Sequence, residues 1–249
     1  MKEYGLIGKI LAHSHSMSYF TKKFEKEGIA ASYALFELPE IAALQNLIEE
    51  NPSLEGFNVT IPYKQQIIPY CHTLERSAQM AGAVNTIKIT RKKNTVLLKG
   101  YNTDIIGFSS LIGNKALATK LPAKALILGT GGASRAVQYV LRALGIGFTL
   151  VSRHAAKSGQ INYAMITASV IKNNPLIINT TPLGMFPELS SKPAIPYQNL
   201  TPEHLLIDLV YNPAETEFLK EGKKHGATLV NGMQMFIEQA EAAWKIWQK

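Results

Sequence analysis

A short apolar run that ends in closely spaced glycines constrains the fold more than any other feature of the sequence. Residues 125–128 read Ala-Leu-Ile-Leu and indicate a strand buried in a parallel sheet. Three of the next four residues, 129–132, are glycine, and helix-forming residues resume at Ala133. Glycines let a backbone approach a pyrophosphate, and the N–H groups of a helix start favour its charge. Because the third small residue, Ala136, departs from the usual dinucleotide spacing, the segment predicts either a nucleotide site or a tight turn.

Composition predicts a folded chain with one large domain or two small ones. The chain has 249 residues, of which 46% are hydrophobic, so it can bury a sizeable core. No apolar run approaches the ~18 residues of a membrane span, and the N-terminus lacks a hydrophobic signal region. The single cysteine, Cys71, excludes an internal disulfide and is typical of a reducing compartment. We therefore expect a cytoplasmic protein.

The net charge of +8 is compatible with two kinds of partner. One is nucleic acid, and the other is a small anion that a basic surface attracts. The basic residues are scattered, except for the run 91–93, which lies with Asn94 between two β-prone stretches and indicates a hairpin turn. We therefore favour small anions over nucleic acid.

The first half alternates between β-prone stretches and amphipathic segments. Five strands are predicted, at residues 4–8, 31–38, 56–60, 82–89 and 95–99. Three helices are predicted: one that ends at Glu27 before Gly28, one over 39–50, and one that begins at Pro62, since proline suits a first helical turn.

Polar side chains follow several of these strands, where ligands collect in open α/β sheets. Ser14 and Ser16 precede a helix and are either caps or a pair of hydroxyls that binds a carboxylate or polyol. Lys64 is either a surface cation or a site residue. Asp104 is either a plain helix cap or a carboxylate that faces Lys64, and Asn85 is a third polar group beside a strand.

Two histidines, His13 and His15, raise the question of a metal. No Cys, Asp or Glu lies near them in the sequence to complete a ligand set, so we expect no metal site.

The second half predicts another βαβ unit and a cofactor preference. A helix over 133–144 leads to a strand over 147–151. Enzymes that use NAD often carry an acidic residue after this strand, whereas a 2′-phosphate needs cations. The turn 152–157 contains no acid, and its Arg153 offers a planar fork to phosphate. We therefore favour NADP over NAD.

The remaining pattern predicts an α/β fold of two lobes. Further strands are predicted from Leu176, over 205–211 and over 227–230, with helices over 214–224 and 233–248. We expect an N-terminal α/β substrate domain over 1–103 and a Rossmann-like, doubly wound NADP-binding domain over 104–235. The last helix is too apolar on one face to stand alone, so residues 236–249 are expected to return to the first lobe.

With these residues in view, the chain resembles shikimate dehydrogenase over nearly its full length. The stretches that carry the resemblance follow the family's order: Gly5–Gly8 with His13-Ser14-x-Ser16, Asn58-Val-Thr-x-Pro-x-Lys64, Gly82-Ala-Val-Asn85-Thr, Asn102-Thr-Asp104-x-x-Gly107, Gly129–Ala133, Asn179-Thr-Thr-Pro-Leu-Gly-Met185, Asp208-x-Val-Tyr-Asn-Pro213 and Gln239-Ala240.

The resemblance implies NADPH-dependent reduction of 3-dehydroshikimate to shikimate, a step of chorismate and aromatic amino-acid biosynthesis. It implies that Lys64 is the acid/base residue and Asp104 its partner. The implied substrate-binding residues are Ser14 and Ser16 for the carboxylate, Thr60, Asn85, Asp104 and Gln239 for the hydroxyls, and Tyr211 against the substrate. The implied cofactor-binding residues are Gly129, Thr130, Gly131, Gly132, Ala133, Ser152, Arg153, Lys157, Leu209 and Gly232. Ser152 and His154 depart from the Asn and Thr that the family usually has around Arg153.

Three other functions are compatible with parts of the sequence. A quinate/shikimate dehydrogenase that prefers NAD is disfavoured because no acid follows Val151. A binding or regulatory protein without catalysis has no need of both Lys64 and Asp104. A nucleic-acid binder would carry an aromatic-rich basic face, which the sequence lacks. We expect a monomer or a homodimer that acts on a small molecule, with no nucleic-acid or membrane partner.

Overall fold

The computed structural model describes residues 1–12, 14–93, 95–113, 121–154 and 159–249. It divides into two compact units, one of residues 1–103 with 239–249 and the other of residues 104–238. Each unit contains a six-stranded sheet. The chain therefore leaves the first unit once and returns to it near its end.

The first unit is built on a mixed sheet in the order β2-β1-β3-β5-β6-β4. Its elements are β1 (Lys2–Gly8), α1 (Ser16–Glu27), β2 (Ala31–Glu37), α2 (Leu44–Glu50), β3 (Leu54–Val59), β4 (Thr73–Leu74), α3 (Arg76–Ala81), β5 (Thr86–Lys92) and β6 (Thr95–Tyr101). β1 runs parallel to both β2 and β3, while β5 runs antiparallel to β3 and β6. Lys92 pairs with Thr95, which confirms the predicted basic hairpin.

One helix prediction in this unit begins too early, and another is wrong. The segment predicted as one helix over 39–50 begins as a 3-10 turn at Ile41–Ala43 and becomes α-helical only at Leu44. The segment after Pro62 forms hydrogen-bonded turns and a 3-10 turn at Ile68–Tyr70. A helix fails there because the Lys64 carbonyl accepts the N–H of Val84, at 2.7 Å, instead of an N–H one helical turn further on.

The last helix, α8 (Met233–Trp247), completes the core of the first unit. Its Ala240, Ala243 and Trp247 pack in one apolar cluster with aromatic residues of β1 and α1. The Trp247 indole N–H donates to the Ile87 carbonyl at 2.9 Å. Gly56 on β3 leaves the space for this ring, since a Cβ there would clash with the indole. The predicted return of the last helix to the first lobe is confirmed.

The second unit is built on a wholly parallel sheet in the order β12-β11-β10-β7-β8-β9. Its elements are α4 (Asp104–Ile112), β7 (Lys124–Leu128), α5 (Gly132–Ala143), β8 (Gly147–Val151), β9 (Gln160–Ile161), α6 (Ala168–Asn173), β10 (Leu176–Asn179), β11 (Leu205–Asp208), α7 (Glu217–Lys224), β12 (Thr228–Val230) and the first turns of α8.

The strand order of this sheet is that of the dinucleotide-binding fold. Counted within the unit from β7, the strands lie in the order 3-2-1-4-5-6. The order reverses between β7 and β10, whose last residues Leu128 and Asn179 are paired. The turns after these two strands therefore meet at the switch point, where such sheets bind ligands.

Two boundaries in the second unit differ from the prediction. The strand predicted over 205–211 ends at Asp208, because the carboxylate of Asp208 accepts the N–H of Val210 at 3.0 Å and turns the chain. The helix predicted from residue 214 begins at Glu217, where the Thr216 side chain caps it. Within the described ranges, no helix combines the length and apolar character that crossing a membrane requires.

Candidate active site

Asn85 is the centre of a buried hydrogen-bond network in the first unit. The backbone N–H of Thr103 donates to Asn85 Oδ1 at 2.6 Å. Because that donor requires the amide oxygen, Asn85 Nδ2 faces the Thr103 hydroxyl at 3.0 Å and Gln239 Oε1 at 3.4 Å. Asn85 is 2% exposed. The structure thus brings together Asn85 and Gln239, which are 154 positions apart.

Three buried residues that are not among the predicted site residues support this network. Asn58 donates to the Asn85 carbonyl at 3.2 Å and to the Thr86 hydroxyl at 3.1 Å. The Thr86 and Thr103 hydroxyls lie 3.1 Å apart. Asn58 and Thr103 fall within stretches that match the family, but nothing in the local sequence indicates that they contact Asn85.

Lys64 lies in the turn beside this network. Its carbonyl accepts the N–H of Val84, the residue before Asn85. Its neighbour Tyr63 is buried, and the Tyr63 hydroxyl donates to the Leu38 carbonyl at 2.6 Å. These contacts fix the backbone of Lys64, whose side chain is half-buried.

The two serines lie at the start of α1, and neither caps it in the usual way. His15 occupies the cap position and makes no capping hydrogen bond with its side chain. Ser14 Oγ accepts the N–H of Ser16 at 3.2 Å, and both serines are half-buried. The preceding loop is held by the N–H of Leu11, which donates to Glu37 at 2.6 Å.

Gly8 allows this serine loop to pack closely on the end of β3. A Cβ at Gly8 would lie 2.6 Å from Leu11 Cδ2 and 2.7 Å from Thr60 Cγ2, so a larger residue would force these side chains to move. The N–H of Thr60 donates to the Ile7 carbonyl at 2.9 Å. Thr60 therefore lies at the same sheet edge as the loop that leads to Ser14.

Asp104 begins α4 and is 4% exposed. It follows Thr103 of the network directly and is the first residue of the second unit. Lys64 belongs to the first unit. The pairing of Lys64 with Asp104 stays a prediction.

The glycine turn after β7 has the features that a pyrophosphate needs. Gly129 has a φ of +107°, and a Cβ there would lie 2.8 Å from Thr180 Oγ1. Gly131 occupies the cap position of α5 without any capping side chain, and a Cβ there would meet open space. Gly132 is the first helical residue, and Thr130 and Ala133 are half-buried. The start of α5 therefore offers backbone N–H groups at an accessible surface.

Two buried residues of α5, Ser134 and Ala136, lie at or near the third small position of the dinucleotide motif. Ala136, the residue predicted for it, is fully buried on α5. Ser134, which the sequence analysis did not assign, stands at the standard spacing and is also fully buried, with its Oγ bonded to Gln138 at 3.0 Å. Together they allow α5 to lie close to the sheet.

The turn after β8 presents a cation to solvent. Arg153 is exposed, and Ser152 Oγ accepts the N–H of His154 at 3.3 Å, which shapes the turn. Burial raises the pKa of Tyr163, and the positive charge of Arg153 opposes this rise. Lys157 lies outside the described residues.

Leu209, Tyr211 and Gly232 lie together at the end of β11. A Cβ at Gly232 would clash with the Leu209 carbonyl, so this approach requires glycine. The half-buried Tyr211 ring stacks on Phe236, with 4.6 Å between the ring centroids.

Asp208 is a buried carboxylate that the sequence analysis did not place in the site. It is fully buried and accepts hydrogen bonds from Thr216 Oγ1 at 2.5 Å, Asn179 Nδ2 at 2.9 Å and the Val210 N–H at 3.0 Å. Burial raises the pKa of Asp208 to about 6, although the three hydrogen bonds oppose the rise.

Comparison with known proteins decides the family. Residues 6–87 match the family model described as the shikimate dehydrogenase substrate binding domain. A relative from Clostridium beijerinckii, named shikimate dehydrogenase (NADP(+)), is 38% identical over 257 residues, which are 100% of this chain and 93% of the relative. The chain belongs to the shikimate dehydrogenase family.

Solved structures related to the shikimate dehydrogenase family have the same fold. The shikimate 5-dehydrogenase of Thermus thermophilus, in complex with NADP(H) and shikimate, aligns with a TM-score of 0.83 and 29% identity, over 99% of this chain and 93% of that one. The quinate dehydrogenase of Corynebacterium glutamicum, in complex with NAD, aligns with a TM-score of 0.84 and 26% identity, again over 99% and 93% of the two chains. The predicted two-lobed α/β fold with a Rossmann-like domain is confirmed.

Among the described residues of this shikimate dehydrogenase family member, no group of three or more His, Cys, Asp or Glu side chains is arranged to hold a metal ion.

Asp208 gives this shikimate dehydrogenase family member a testable pH dependence. Its pKa in the folded state, about 6, lies above the ordinary value of 3.8, so the folded state holds the proton more tightly. We expect the contribution of Asp208 to the free energy of unfolding to fall as the pH rises from about 4 to about 6 and to level off above that. At about 1.4 kcal/mol per pKa unit, the change amounts to roughly 3 kcal/mol.

Urea unfolding of the wild type and of Asp208→Asn across this pH range measures the effect. The difference between the two proteins isolates Asp208 from the other carboxylates, which titrate equally in both. A difference in unfolding free energy that stays constant with pH would contradict the expectation.

Proposed function

We propose that this chain catalyses the reversible, NADPH-dependent reduction of 3-dehydroshikimate to shikimate. One observation carries the proposal: the chain is similar over nearly its whole length to relatives named shikimate dehydrogenase (NADP(+)). The polar residues that the resemblance implies for substrate binding include Asn85 and Gln239, which share one buried network. The first unit is proposed to bind the substrate and the second to bind NADP.

The residues of the second unit fit a dinucleotide. The uncapped start of α5 and the open space above Gly131 suit a pyrophosphate, which Gly129, Thr130, Gly131, Gly132 and Ala133 would hold. The exposed Arg153, with Ser152 and Lys157, would hold the 2′-phosphate, and Leu209 and Gly232 would complete the site. When bound, NADPH supplies the hydride that reduces the ketone.

Lys64 is proposed to act as the general acid in reduction and as the general base in oxidation. Reduction of a ketone leaves negative charge on the carbonyl oxygen, which needs a proton donor within hydrogen-bond reach. The ammonium of Lys64 stabilises that oxygen and gives it a proton, and in the reverse direction the amine takes the proton back. Asp104 accepts a hydrogen bond from the ammonium and orients it.

The polar groups of the first unit are proposed to fix the substrate. Ser14 and Ser16 bind its carboxylate with their hydroxyls and with backbone N–H groups at the start of α1. Thr60, Asn85 and Gln239 bind the ring hydroxyls, while Tyr211 of the second unit lies against the substrate. The orientation of Asn85 makes its Nδ2 the donor toward Gln239 and the ligand.

We expect Arg153→Ala to weaken the use of NADP selectively. Removal of a charge-assisted hydrogen bond costs about 1.5–3 kcal/mol, which corresponds to a rise in the KM for NADP of about 10-fold to 100-fold. The KM for NAD, which has no 2′-phosphate, is expected to stay within about twofold. Initial rates with shikimate and each cofactor measure this, with Arg76→Ala, an exposed arginine of the first unit, as the control. Equal losses with NADP and NAD would refute a 2′-phosphate role.

A second candidate is an NAD-dependent quinate dehydrogenase, because the quinate dehydrogenase of Corynebacterium glutamicum shares the fold. Absorbance of the reduced nicotinamide distinguishes the two when purified protein meets shikimate or quinate with either cofactor. Rapid reduction of NADP with shikimate supports the proposal, whereas reduction chiefly of NAD with quinate supports the second candidate. No reaction in any combination would refute both.

We also propose a cytoplasmic location and a monomeric or homodimeric enzyme. The single cysteine supports the location, since it fits a reducing compartment. The scattered basic residues support small anionic ligands over nucleic acid as partners.

A further inference from the structure

We propose that Asp208 is a positioning residue, which holds the loops after β10 and β11 in the arrangement that binds substrate and cofactor. The inference rests on the proposed function for the roles of those loops. Its basis is that the carboxylate accepts three hydrogen bonds from three different segments of the second unit.

The first segment is the loop that follows Asp208 itself. The hydrogen bond from the Val210 N–H turns the chain immediately after β11. This turn presents Leu209 to Gly232 and places the Tyr211 ring on Phe236. The two loop residues proposed to contact cofactor and substrate therefore depend on a turn that Asp208 makes.

The second segment is the polar turn after β10. Asn179 Nδ2 donates to Asp208, which leaves Asn179 Oδ1 to accept the N–H of Thr181 at 3.0 Å and its hydroxyl at 2.6 Å. Thr180 and Thr181 in this turn are the residues that pack against Gly129. Because a carboxylate accepts and a backbone N–H donates, Asp208 and Thr181 together fix which way the Asn179 amide points and so shape the wall of the glycine turn.

The third segment is the start of α7. Thr216 Oγ1 donates to Asp208 Oδ2 and accepts the N–H of Leu219 at 3.4 Å. The Thr216 side chain also lies against Gly184, since a Cβ at Gly184 would be 3.1 Å from Thr216 Cβ. One buried carboxylate thus joins the base of both loops to the helix behind them.

The use of a carboxylate to hold these loops costs free energy, because its burial opposes ionisation. An apolar side chain would fill the space at lower cost but would take the acceptor from the Val210 N–H and the Thr216 hydroxyl, and would leave Asn179 Nδ2 only the Leu183 carbonyl at 3.4 Å. The arrangement therefore favours loop geometry over stability, as expected at a functional site.

Asp208→Ala and Asp208→Asn form the central pair of the test. Alanine removes both acceptor oxygens and with them all three hydrogen bonds, whereas asparagine keeps one oxygen for Val210 and Asn179 and can donate to Thr216. We expect the alanine variant to raise the KM values for shikimate and for NADP by about tenfold or more, with a smaller fall in kcat. We expect the asparagine variant to restore both KM values to within about threefold of the wild type. KM values that stay within about twofold in the alanine variant, or an equal loss in both variants, would overturn the proposal.

A second pair keeps the test decisive if Asp208→Ala does not fold. Thr216→Val removes the hydroxyl and keeps the shape, and Thr216→Ser keeps the hydroxyl. We expect the valine variant to raise both KM values by about threefold or more and the serine variant to leave them within about twofold. Equal KM values in the valine variant and the wild type would overturn the proposal.

Hydrogen exchange separates this inference from the proposed function. We expect amides of residues 180–184 and 209–214 to exchange about tenfold faster or more in Thr216→Val and Asp208→Ala, with β7 and β8 unchanged. If the wild type does not oxidise shikimate but this selective exchange occurs, the proposed function fails and the role of Asp208 in holding the loops stands. Exchange that is unchanged, or that rises evenly across the unit, refutes that role.

Discussion

Lys64→Ala is expected to lower kcat for shikimate oxidation with NADP by about 10³-fold, because general acid–base catalysis contributes on this scale. Without the amine, the reacting hydroxyl loses the base that is proposed to take its proton. KM is expected to change less, since the other substrate contacts, among them Ser14 and Asn85, are intact. Absorbance of the reduced nicotinamide at saturating shikimate measures the effect.

Two control variants make this result specific. Lys64→Arg keeps a positive charge at the position, but arginine does not deprotonate in proteins, so we expect nearly the same loss of kcat. Lys22→Ala, which removes an exposed lysine of α1, is expected to have no effect on kcat. If Lys64→Ala retained kcat within about tenfold of the wild type, the proposed acid–base role would be refuted.

Trp247→Ala is expected to lower the free energy of unfolding by about 3–5 kcal/mol, as large-to-small substitutions of buried aromatic residues do. The ring is 5% exposed, stacks on Tyr4 with 4.8 Å between centroids, and donates to the Ile87 carbonyl. Its loss leaves a cavity above Gly56 and a buried carbonyl without its donor. Urea unfolding followed by circular dichroism measures the change.

The same helix provides the comparison. Lys245→Ala removes an exposed side chain from α8, and we expect its unfolding free energy to stay within about 0.5 kcal/mol of the wild type. Trp247→Phe keeps most of the apolar area but not the donor, so its loss should be intermediate. A Trp247→Ala protein as stable as Lys245→Ala would show that the helix end does not support the core.

Elements with a strong local pattern could be predicted from the sequence. The strand before Gly129, the glycine turn and the helix after it lie within one short stretch, and their order is set by local chemistry. The β5–β6 hairpin is predictable for the same reason, because a polar turn separates two β-prone runs.

Elements that depend on distant partners could not be predicted. The helix expected after Pro62 fails because the Lys64 carbonyl bonds to Val84, which a local reading of proline does not reveal. The strand expected to reach Tyr211 stops at Asp208, whose carboxylate competes for a backbone N–H.

The candidate site shows the same division. Its exposed and glycine positions stand in recognisable motifs, so the family resemblance finds them. The supporting residues Thr103 and Asp208 act through partners 18 and 29 positions away, Asn85 and Asn179, and such pairs are decided only by the fold. The sequence therefore indicates which groups would bind a ligand better than it indicates what holds them.

The return of the last helix to the first unit also determines the order in which the two units can complete their folding during synthesis. On the ribosome, residues 104–238 emerge as one continuous stretch and contain every strand of their sheet. The first unit cannot complete its folding at that stage, because its aromatic core includes Ala240, Ala243 and Trp247. The first unit is thus completed after the second has emerged, and a nascent chain that stalls before residue 240 exposes the apolar cluster of the first unit to chaperones and aggregation.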